Sequence, residues 1–324
     1  MNKNSKKLGL YIGIVSTVSV AAIVLRILAL LLDYDITTAY FNDSLLVTIS
    51  GFTVLAAILL SIPFALLLSK CKLKADFTSP MTYVPVGALA MSVVTVIIYL
   101  LRSANIPSLF GGNLSLPTLL ALITALLGLS AIAHLFSTTF YTEQRVTIRS
   151  YFAIGTITFM AMLAAFMYFD TKFALNSHAK IVDQMAILFA ALFMLYEARI
   201  SLGREMWRGY AAFGLMAMAL SSYASIPNLI LYFVKGYTVS LSIELSTFIF
   251  TLSVFAFMRL ILATRLSEDN EDLATESLNE YREEMRLRSE RAKRSEEDEQ
   301  ITIDELFVEE TEEEENEKEG GEET

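Results

Sequence analysis

Three ionisable residues, Arg26, Asp183 and Glu244, lie inside apolar stretches that are long enough to cross a lipid bilayer. A charge at mid-bilayer costs roughly 2.5–3.5 kcal/mol on insertion scales, so each side chain requires a partner or a water-filled path. All three lie near the same end of their predicted spans. The set carries one positive and two negative charges, so the second acid must pair with Lys180 or Lys235, stay protonated, or bind a cation or a proton. We expect Asp183 or Glu244 to take part in ligand or proton binding. A structural ion cluster without any ligand is the alternative interpretation.

Two further charges lie near the opposite end of the predicted spans. Glu197 closes the sixth span and Arg259 lies in the final third of the eighth, and we expect these two residues to form a structural ion pair. Asp183 and Glu197 are 14 residues apart, which is about four helical turns, so both acids face one side of the same helix.

A stripe of small and polar residues runs along the seventh span. Its members follow a 3-4-4-3 spacing and are Gly214, Ala217, Ser221, Ser225 and Asn228. Small residues allow membrane helices to approach closely, and serine and asparagine side chains hydrogen-bond across such contacts. Pro227 removes a backbone donor and frees a carbonyl about one turn earlier, and transporters often bind substrate at such a break. Ser221, Ser225 and Asn228 are therefore candidate ligand-binding residues, with close helix packing as the alternative.

The residue types that most enzyme chemistries need are sparse in this chain. Cys71 is the only cysteine and His134 and His178 are the only histidines, so a zinc or di-iron site is nearly excluded and no metal or cofactor is predicted. Ser130 and His134 stand four residues apart on the fourth span, a pairing that would suit an intramembrane hydrolase. The chain contains no GxSxG, HExxH or P-loop motif, so catalysis is the least favoured function.

Membrane helices must position these residues, because the chain is strongly apolar. Hydrophobic residues make up 54% of it and the mean hydropathy is +0.52, with the apolar residues grouped in blocks of membrane-spanning length. Eight spans are predicted, at 8–32, 45–69, 81–101, 116–137, 151–169, 181–198, 209–233 and 239–264. The predicted fold class is an all-α polytopic membrane protein, a bundle of about eight transmembrane helices in contact with the lipid bilayer.

The loops between these spans alternate in positive charge. One side carries Lys3, Lys6, Lys7, Lys70, Lys72, Lys74, Arg145, Arg149, Arg204, Arg208 and Arg265, whereas the other carries Arg102, Lys172, Lys180 and Lys235. Lysine and arginine accumulate in cytoplasmic loops. Both termini are therefore predicted to be cytoplasmic, in a protein of the cell membrane, with 70–80, 138–150 and 199–208 as cytoplasmic segments.

The last part of the chain has a very different composition. Residues 1–265 hold 18 basic and 10 acidic side chains, whereas residues 266–324 hold 7 basic and 25 acidic ones. We divide the chain into a transmembrane domain at 1–265 and a cytoplasmic acidic tail at 266–324. Within the tail, 271–295 is predicted to be a charged helix and 309–324 to be disordered. The apolar segment 301–308 is a candidate docking peptide for a cytoplasmic protein, and a stretch without any partner is the alternative.

Two functions remain open at this point. The buried charges and the break in the seventh span favour binding or transport of a small solute or ion, through a polar site between spans one, six, seven and eight. The acidic tail favours a membrane scaffold or regulatory subunit that recruits a cytoplasmic partner. Nucleic-acid binding is not predicted.

Overall fold

The computed structural model describes residues 3–35, 40–41, 45–68, 80–104, 115–140, 146–169, 177–201, 206–239, 242–266 and 282–291. Its long helices are α1 (Lys3–Leu32), α2 (Leu45–Leu66), α3 (Pro80–Ser103), α4 (Leu116–Phe140), α5 (Val146–Phe169), α6 (His178–Ser201), α7 (Trp207–Lys235) and α8 (Ile243–Leu266). Two short strands, β1 (Tyr34–Asp35) and β2 (Tyr40–Phe41), follow α1.

The eight predicted spans are confirmed as helices. Each of α1 to α8 contains a stretch that is long and apolar enough to cross a membrane. A helix satisfies its backbone hydrogen bonds within one segment, which is why each apolar block adopts this structure in lipid. Several helices extend a few residues beyond the predicted limits, as α5 does by beginning at Val146.

The start of α8 differs from the prediction. Ser242 Oγ accepts a hydrogen bond from the backbone N–H of Leu245 at 3.4 Å, and this serine cap begins the helix at Ile243 rather than at 239. The preceding helix, α7, ends at Lys235 and is capped by Gly236, which has a left-handed backbone (φ 78°) and donates its N–H to the Tyr232 carbonyl in the last turn. The connection between α7 and α8 is therefore longer than the sequence indicated.

Two helices form the centre of the bundle. The helix α7 packs against α1, α2, α6 and α8, and α8 packs against α1, α3, α6 and α7. The remaining contacts join sequence neighbours, α1 to α2 and then α3, α4, α5 and α6 in order. Burial follows this arrangement, because the most apolar windows of α7 and α8 are 67% buried whereas that of α2 is 22% buried.

Small residues allow the central helices to approach closely. A Cβ placed on Gly214 of α7 would lie 2.8 Å from Leu260 Cδ2 of α8 and 3.0 Å from Phe193 Cε2 of α6. Gly155 has a similar function between α5 and α4, since a Cβ there would lie 2.7 Å from Ser130 Cβ. The packing role that the sequence offered as the alternative for the α7 stripe therefore applies at Gly214.

Basic side chains bind the last carbonyls of two helices. Arg208 Nε donates a hydrogen bond to the Leu68 carbonyl at 2.9 Å, just after α2. Lys180 Nζ donates to the Tyr168 carbonyl at 3.2 Å, in the last turn of α5. Cations stabilise these free carbonyls at the negative end of the helix dipole. Lys180, which we counted as a loop charge, is thus a buried residue in the first turn of α6.

A short antiparallel hairpin that was not predicted follows α1. Tyr34 pairs with Phe41, and their rings meet edge to face at 5.2 Å. These two rings pack with Tyr237 against a small apolar cluster that includes Leu30 of α1 and Leu231 of α7. We call this end of the bundle the hairpin end, and the opposite end, where α1 begins, the terminal end.

The chain divides into two compact units, Met1–Ala274 and Thr275–Thr324. In the second unit, residues 282–291 are helical and exposed, and Arg286 Nε lies 2.8 Å from Glu290 Oε1. This helix lies within the predicted charged helix at 271–295. The predicted docking peptide at 301–308 and the acidic segment at 309–324 lie outside the described residues.

Candidate functional site

The polar stripe of α7 lies in the interior of the bundle. Ser221, Ser225 and Asn228 are each fully buried. Ser225 Oγ donates a hydrogen bond to the Ser221 carbonyl at 2.6 Å, and Asn228 Nδ2 donates to the Ala224 carbonyl at 3.1 Å. Ser221 Oγ has no hydrogen-bond partner among the described residues. The helix continues through Pro227 without interruption, so the predicted break is a change in hydrogen bonding, not a gap in the helix.

Arg26 lies against α7 in a way that the sequence did not predict. Its guanidinium carbon lies 4.5 Å from the centroid of the Tyr223 ring, a cation–π contact. The Tyr223 hydroxyl is 3.0 Å from Ser50 Oγ on α2, so one chain of contacts joins α1, α7 and α2. Arg26 is 3% exposed, and its Nη1 has no hydrogen-bond partner in the part of the chain that the structure describes. The feature of the sequence that points to this contact is Tyr223, which lies between Ser221 and Ser225 of the polar stripe.

The buried charge on α6 lies at a similar depth. Arg26 lies six residues before the end of α1, Asp183 five residues after the start of α6, and Asn228 seven residues before the end of α7. At ~1.5 Å per residue, all three lie roughly 7–11 Å from the hairpin ends of their own helices. Asp183 is fully buried, as is Ser246 on α8, whose Oγ has no hydrogen-bond partner among the described residues. The structure therefore contains a layer of buried polar side chains near the hairpin end.

Glu244 does not share that depth. Because α8 begins at Ile243, Glu244 lies in the first helical turn and is half-buried, nearer to the hairpin end than Asp183. A carboxylate in a first turn is stabilised by the helix dipole. Of the two acids that the sequence placed within the membrane, Glu244 therefore lies at the edge of the bundle.

Glu197 and Arg259 form an ion pair at the terminal end. Arg259 Nε lies 2.8 Å from Glu197 Oε1. The arginine side chain is 1% exposed and the glutamate side chain is 5% exposed. The arginine also lies over the Phe255 ring at 5.3 Å. The two atoms are at ion-pair distance although the N–H is not aligned for a hydrogen bond, and Glu197 Oε2 has no hydrogen-bond partner among the described residues. This is the pair that the sequence suggested.

The serine and histidine of α4 have separate partners on α5. Ser130 Oγ donates to the Phe152 carbonyl at 3.5 Å, and His134 Nδ1 lies 3.1 Å from Thr156 Oγ1. Both contacts join α4 to α5, which accounts for the two residues through helix packing. Within the described ranges, His, Cys, Asp and Glu side chains form no group of three that could hold a metal ion.

The chain matches no protein-family model, no curated protein and no solved structure. Its class follows from the helices themselves. Eight helices of membrane-spanning length and composition make it a multi-pass integral membrane protein in contact with the lipid bilayer.

Proposed function

We propose that the bundle binds a small polar solute or ion at the buried layer near the hairpin end, and carries it across the membrane. The observation that supports this most is that Arg26 Nη1 and Ser246 Oγ, both in this layer, are buried without a hydrogen-bond partner among the described residues. A buried polar group without a partner costs about 1–3 kcal/mol, so most buried polar groups in native proteins have one. A ligand that satisfies these groups would recover that free energy.

The proposed site combines donors and acceptors. Arg26 supplies a positive charge, Asp183 a carboxylate, Asn228 an amide and Ser246 a hydroxyl. Ser225 and Ser221, ten and fourteen residues before the end of α7, continue the polar surface to roughly 15–21 Å from the hairpin end. Such a set suits a small solute with groups of both signs, or an ion that pairs with one of the two charges. Glu244, half-buried at the hairpin end, would provide a second carboxylate along the path of entry.

The test uses purified protein and a panel of soluble salts, amino acids and other small polar solutes. We expect one class of solute to raise the thermal unfolding temperature of the wild type, because a ligand that binds only the folded state stabilises it. Asp183→Asn should remove that increase and remain folded. The matched control is Glu197→Gln, another buried acid, which should lower the unfolding temperature but retain the response to solute.

The structural alternative gives a different result. If no solute shifts the unfolding temperature, and if Asp183→Asn unfolds the protein unless Arg26→Gln is added, then the charges form a structural cluster. The proposal of solute binding would then be wrong. Uptake into proteoliposomes by the wild type, lost in Asp183→Asn, would separate transport from binding alone.

A second candidate function rests on the tail. The acidic composition of 266–324, with 25 acidic and 7 basic side chains, favours a scaffold that recruits a cytoplasmic partner. We propose 301–308 as the docking segment, since it is apolar within an acidic region. When Ile303 and Phe307 are both changed to Asp, we expect that a protein which co-purifies with the wild type no longer co-purifies. An unchanged set of co-purifying proteins would argue against docking at this segment.

A further inference from the structure

Buried apolar side chains form two separate clusters in the part of the chain that the structure describes. The large cluster fills the body of the bundle. The small cluster lies at the hairpin end and consists of Leu30, Ala179, Leu231 and Val239. A domain usually has one contiguous core, with smaller satellite clusters under its connections. The residues that lie between the two clusters indicate what the small one covers.

The buried polar layer lies between the two clusters on three helices. On each helix, a polar residue of the layer stands three or four positions from a residue of the large cluster and from a residue of the small one. The three series are Ile23, Arg26 and Leu30 on α1, Ala186, Asp183 and Ala179 on α6, and Ala224, Asn228 and Leu231 on α7. Residues at these spacings share one face of a helix. The small cluster therefore covers the polar layer on the side of the hairpin end.

Three aromatic side chains pack against the small cluster beyond the ends of the helices. They are Tyr34 of β1, Phe41 of β2 and Tyr237 in the connection after α7. The Tyr34 and Phe41 rings meet at 5.2 Å. Burial raises the pKa of the Tyr34 hydroxyl, and the hydroxyl of Tyr237 raises it further, so these two side chains are close neighbours. We call Tyr34, Phe41 and Tyr237 the aromatic lid.

The aromatic lid belongs to connections and not to the spanning helices. Each strand of the hairpin is two residues long, and Tyr237 stands two positions after the last residue of α7. A two-stranded hairpin is marginally stable by itself. Segments with few buried apolar contacts open locally at a lower free energy than the core does. The aromatic lid can therefore move while the eight helices remain packed.

We infer that the aromatic lid is the gate through which a water-soluble ligand reaches the buried polar layer from the hairpin end, and that the structure holds this gate closed. Arg26, Asp183, Asn228 and Ser246 are each at most 3% exposed, so a ligand reaches them only after part of the protein moves. The lid and the small cluster stand between this layer and the water at the hairpin end. Passage of a solute through the gate rests on the proposed function, whereas its opening to water does not.

Reaction of a buried cysteine with a water-soluble reagent measures this opening. Cys71→Ser first removes the only cysteine of the chain. Ser246→Cys then places a thiol in the polar layer, and Ser92→Cys places one at a buried position of α3 outside the layer. The probe is a methanethiosulfonate reagent that carries a trimethylammonium group, applied to protein in nanodiscs. The rate of labelling of a buried thiol reports the population of the open form.

We expect Ser246→Cys to react slowly when the aromatic lid is intact. Phe41→Ala or Tyr237→Ala should each raise this rate about tenfold, because each removes a ring that holds the lid closed. The matched control is Phe233→Ala, since Phe233 lies near the same end of α7 but is 82% exposed and outside the lid. This control should leave the rate unchanged. Ser92→Cys should stay protected in every variant, because the bundle itself remains packed.

Three results would overturn the gate. One is complete protection of Ser246→Cys with the lid intact, under conditions that label the denatured protein at once. Another is the same labelling rate in Phe41→Ala, Tyr237→Ala and Phe233→Ala. The third is an equal rise at Ser92→Cys, which would mean that the lid holds the whole bundle together. Since no solute is needed, labelling that depends on the lid, without any response to solutes, would contradict the proposed function and leave the gate in place.

Discussion

The two buried arginines have different surroundings, and the difference indicates different functions. Arg259 has a carboxylate at 2.8 Å and an aromatic ring beside it, so its charge is neutralised within the bundle. Arg26 has the face of Tyr223 at 4.5 Å, and its Nη1 has no hydrogen-bond partner in the described part of the chain. The first arrangement suits a fixed structural contact. The second leaves hydrogen-bonding capacity for a ligand, which is the basis of the proposed site.

At the scale of residues, we predict that Glu197→Gln destabilises the protein by about 3–5 kcal/mol. The substitution leaves Arg259 as a buried charge without its carboxylate, and breaking a buried ion pair has a cost of this size. The double variant Glu197→Gln with Arg259→Met should recover most of the loss, because both charges are then removed. The measurement is the free energy of unfolding in detergent.

The exposed pair in the tail is the control for this prediction. Arg286 and Glu290 are exposed and one helical turn apart, so Glu290→Gln should leave the stability of the protein unchanged. If Glu197→Gln behaves like Glu290→Gln, then the buried pair contributes nothing to folding and our account of Arg259 is wrong.

At the scale of elements, the bundle depends on close approach between particular helices. The contact of α4 with α5 is an example, since Gly155 faces the side chain of Ser130. A methyl group on Gly155 would lie 2.7 Å from Ser130 Cβ, which is shorter than any normal contact between carbon atoms. The two helices must therefore separate to accept even an alanine.

We predict that Gly155→Ala destabilises the protein by about 1–3 kcal/mol, the usual effect of overpacking. Ser130→Gly removes the opposing side chain, so the double variant should be more stable than Gly155→Ala alone. The control is Gly87→Ala in α3, where a Cβ meets nothing within 4 Å and should be tolerated. Thermal unfolding of the four proteins measures these effects. A loss of stability in Gly87→Ala equal to that in Gly155→Ala would contradict the packing argument.

At the scale of the whole molecule, the orientation in the membrane follows from the distribution of lysine and arginine. We predict that reporter fusions after Lys74 and Arg204 report the cytoplasm and that a fusion after Ser108 reports the opposite side. The measurement uses a reporter enzyme that is active on only one side of the membrane, fused in turn at each of the three positions. A cytoplasmic signal after Ser108 would mean that the number or order of the spans is wrong.

The tail and the bundle are expected to be independent in folding. The spans satisfy their own backbone hydrogen bonds, whereas the tail is too charged to build a core. We predict that deletion of 275–324, the second compact unit, leaves a monodisperse protein with the unfolding temperature of the full chain. Aggregation or a lower unfolding temperature on this deletion would show that the tail stabilises the bundle. A point variant in the exposed helix, Arg286→Ala, serves as the control.

The sequence was sufficient for the number of helices and for the approximate limits of each. This is because the backbone must satisfy its hydrogen bonds within each apolar block, and the information for doing so is local. The pairing of Glu197 with Arg259 could also be anticipated, since both charges lie near the same end of their spans and isolated charges in lipid require a partner. The start of α8 was missed because it depends on a serine cap at Ser242 and on the turn at Gly236.

Only the tertiary structure decided which helices are central and which faces meet. In lipid, a side chain that faces hydrocarbon and one that faces the core are both apolar, so the contrast that marks the buried face of a soluble helix is weak. The stripe of small and polar residues distinguishes α7 from the more apolar α2 in the sequence, but only the packing shows that α7 is 67% buried and α2 22%. The contact of Arg26 with Tyr223 likewise depends on packing between segments far apart in the chain, whereas the position of Glu244 at the edge follows from the local start of α8.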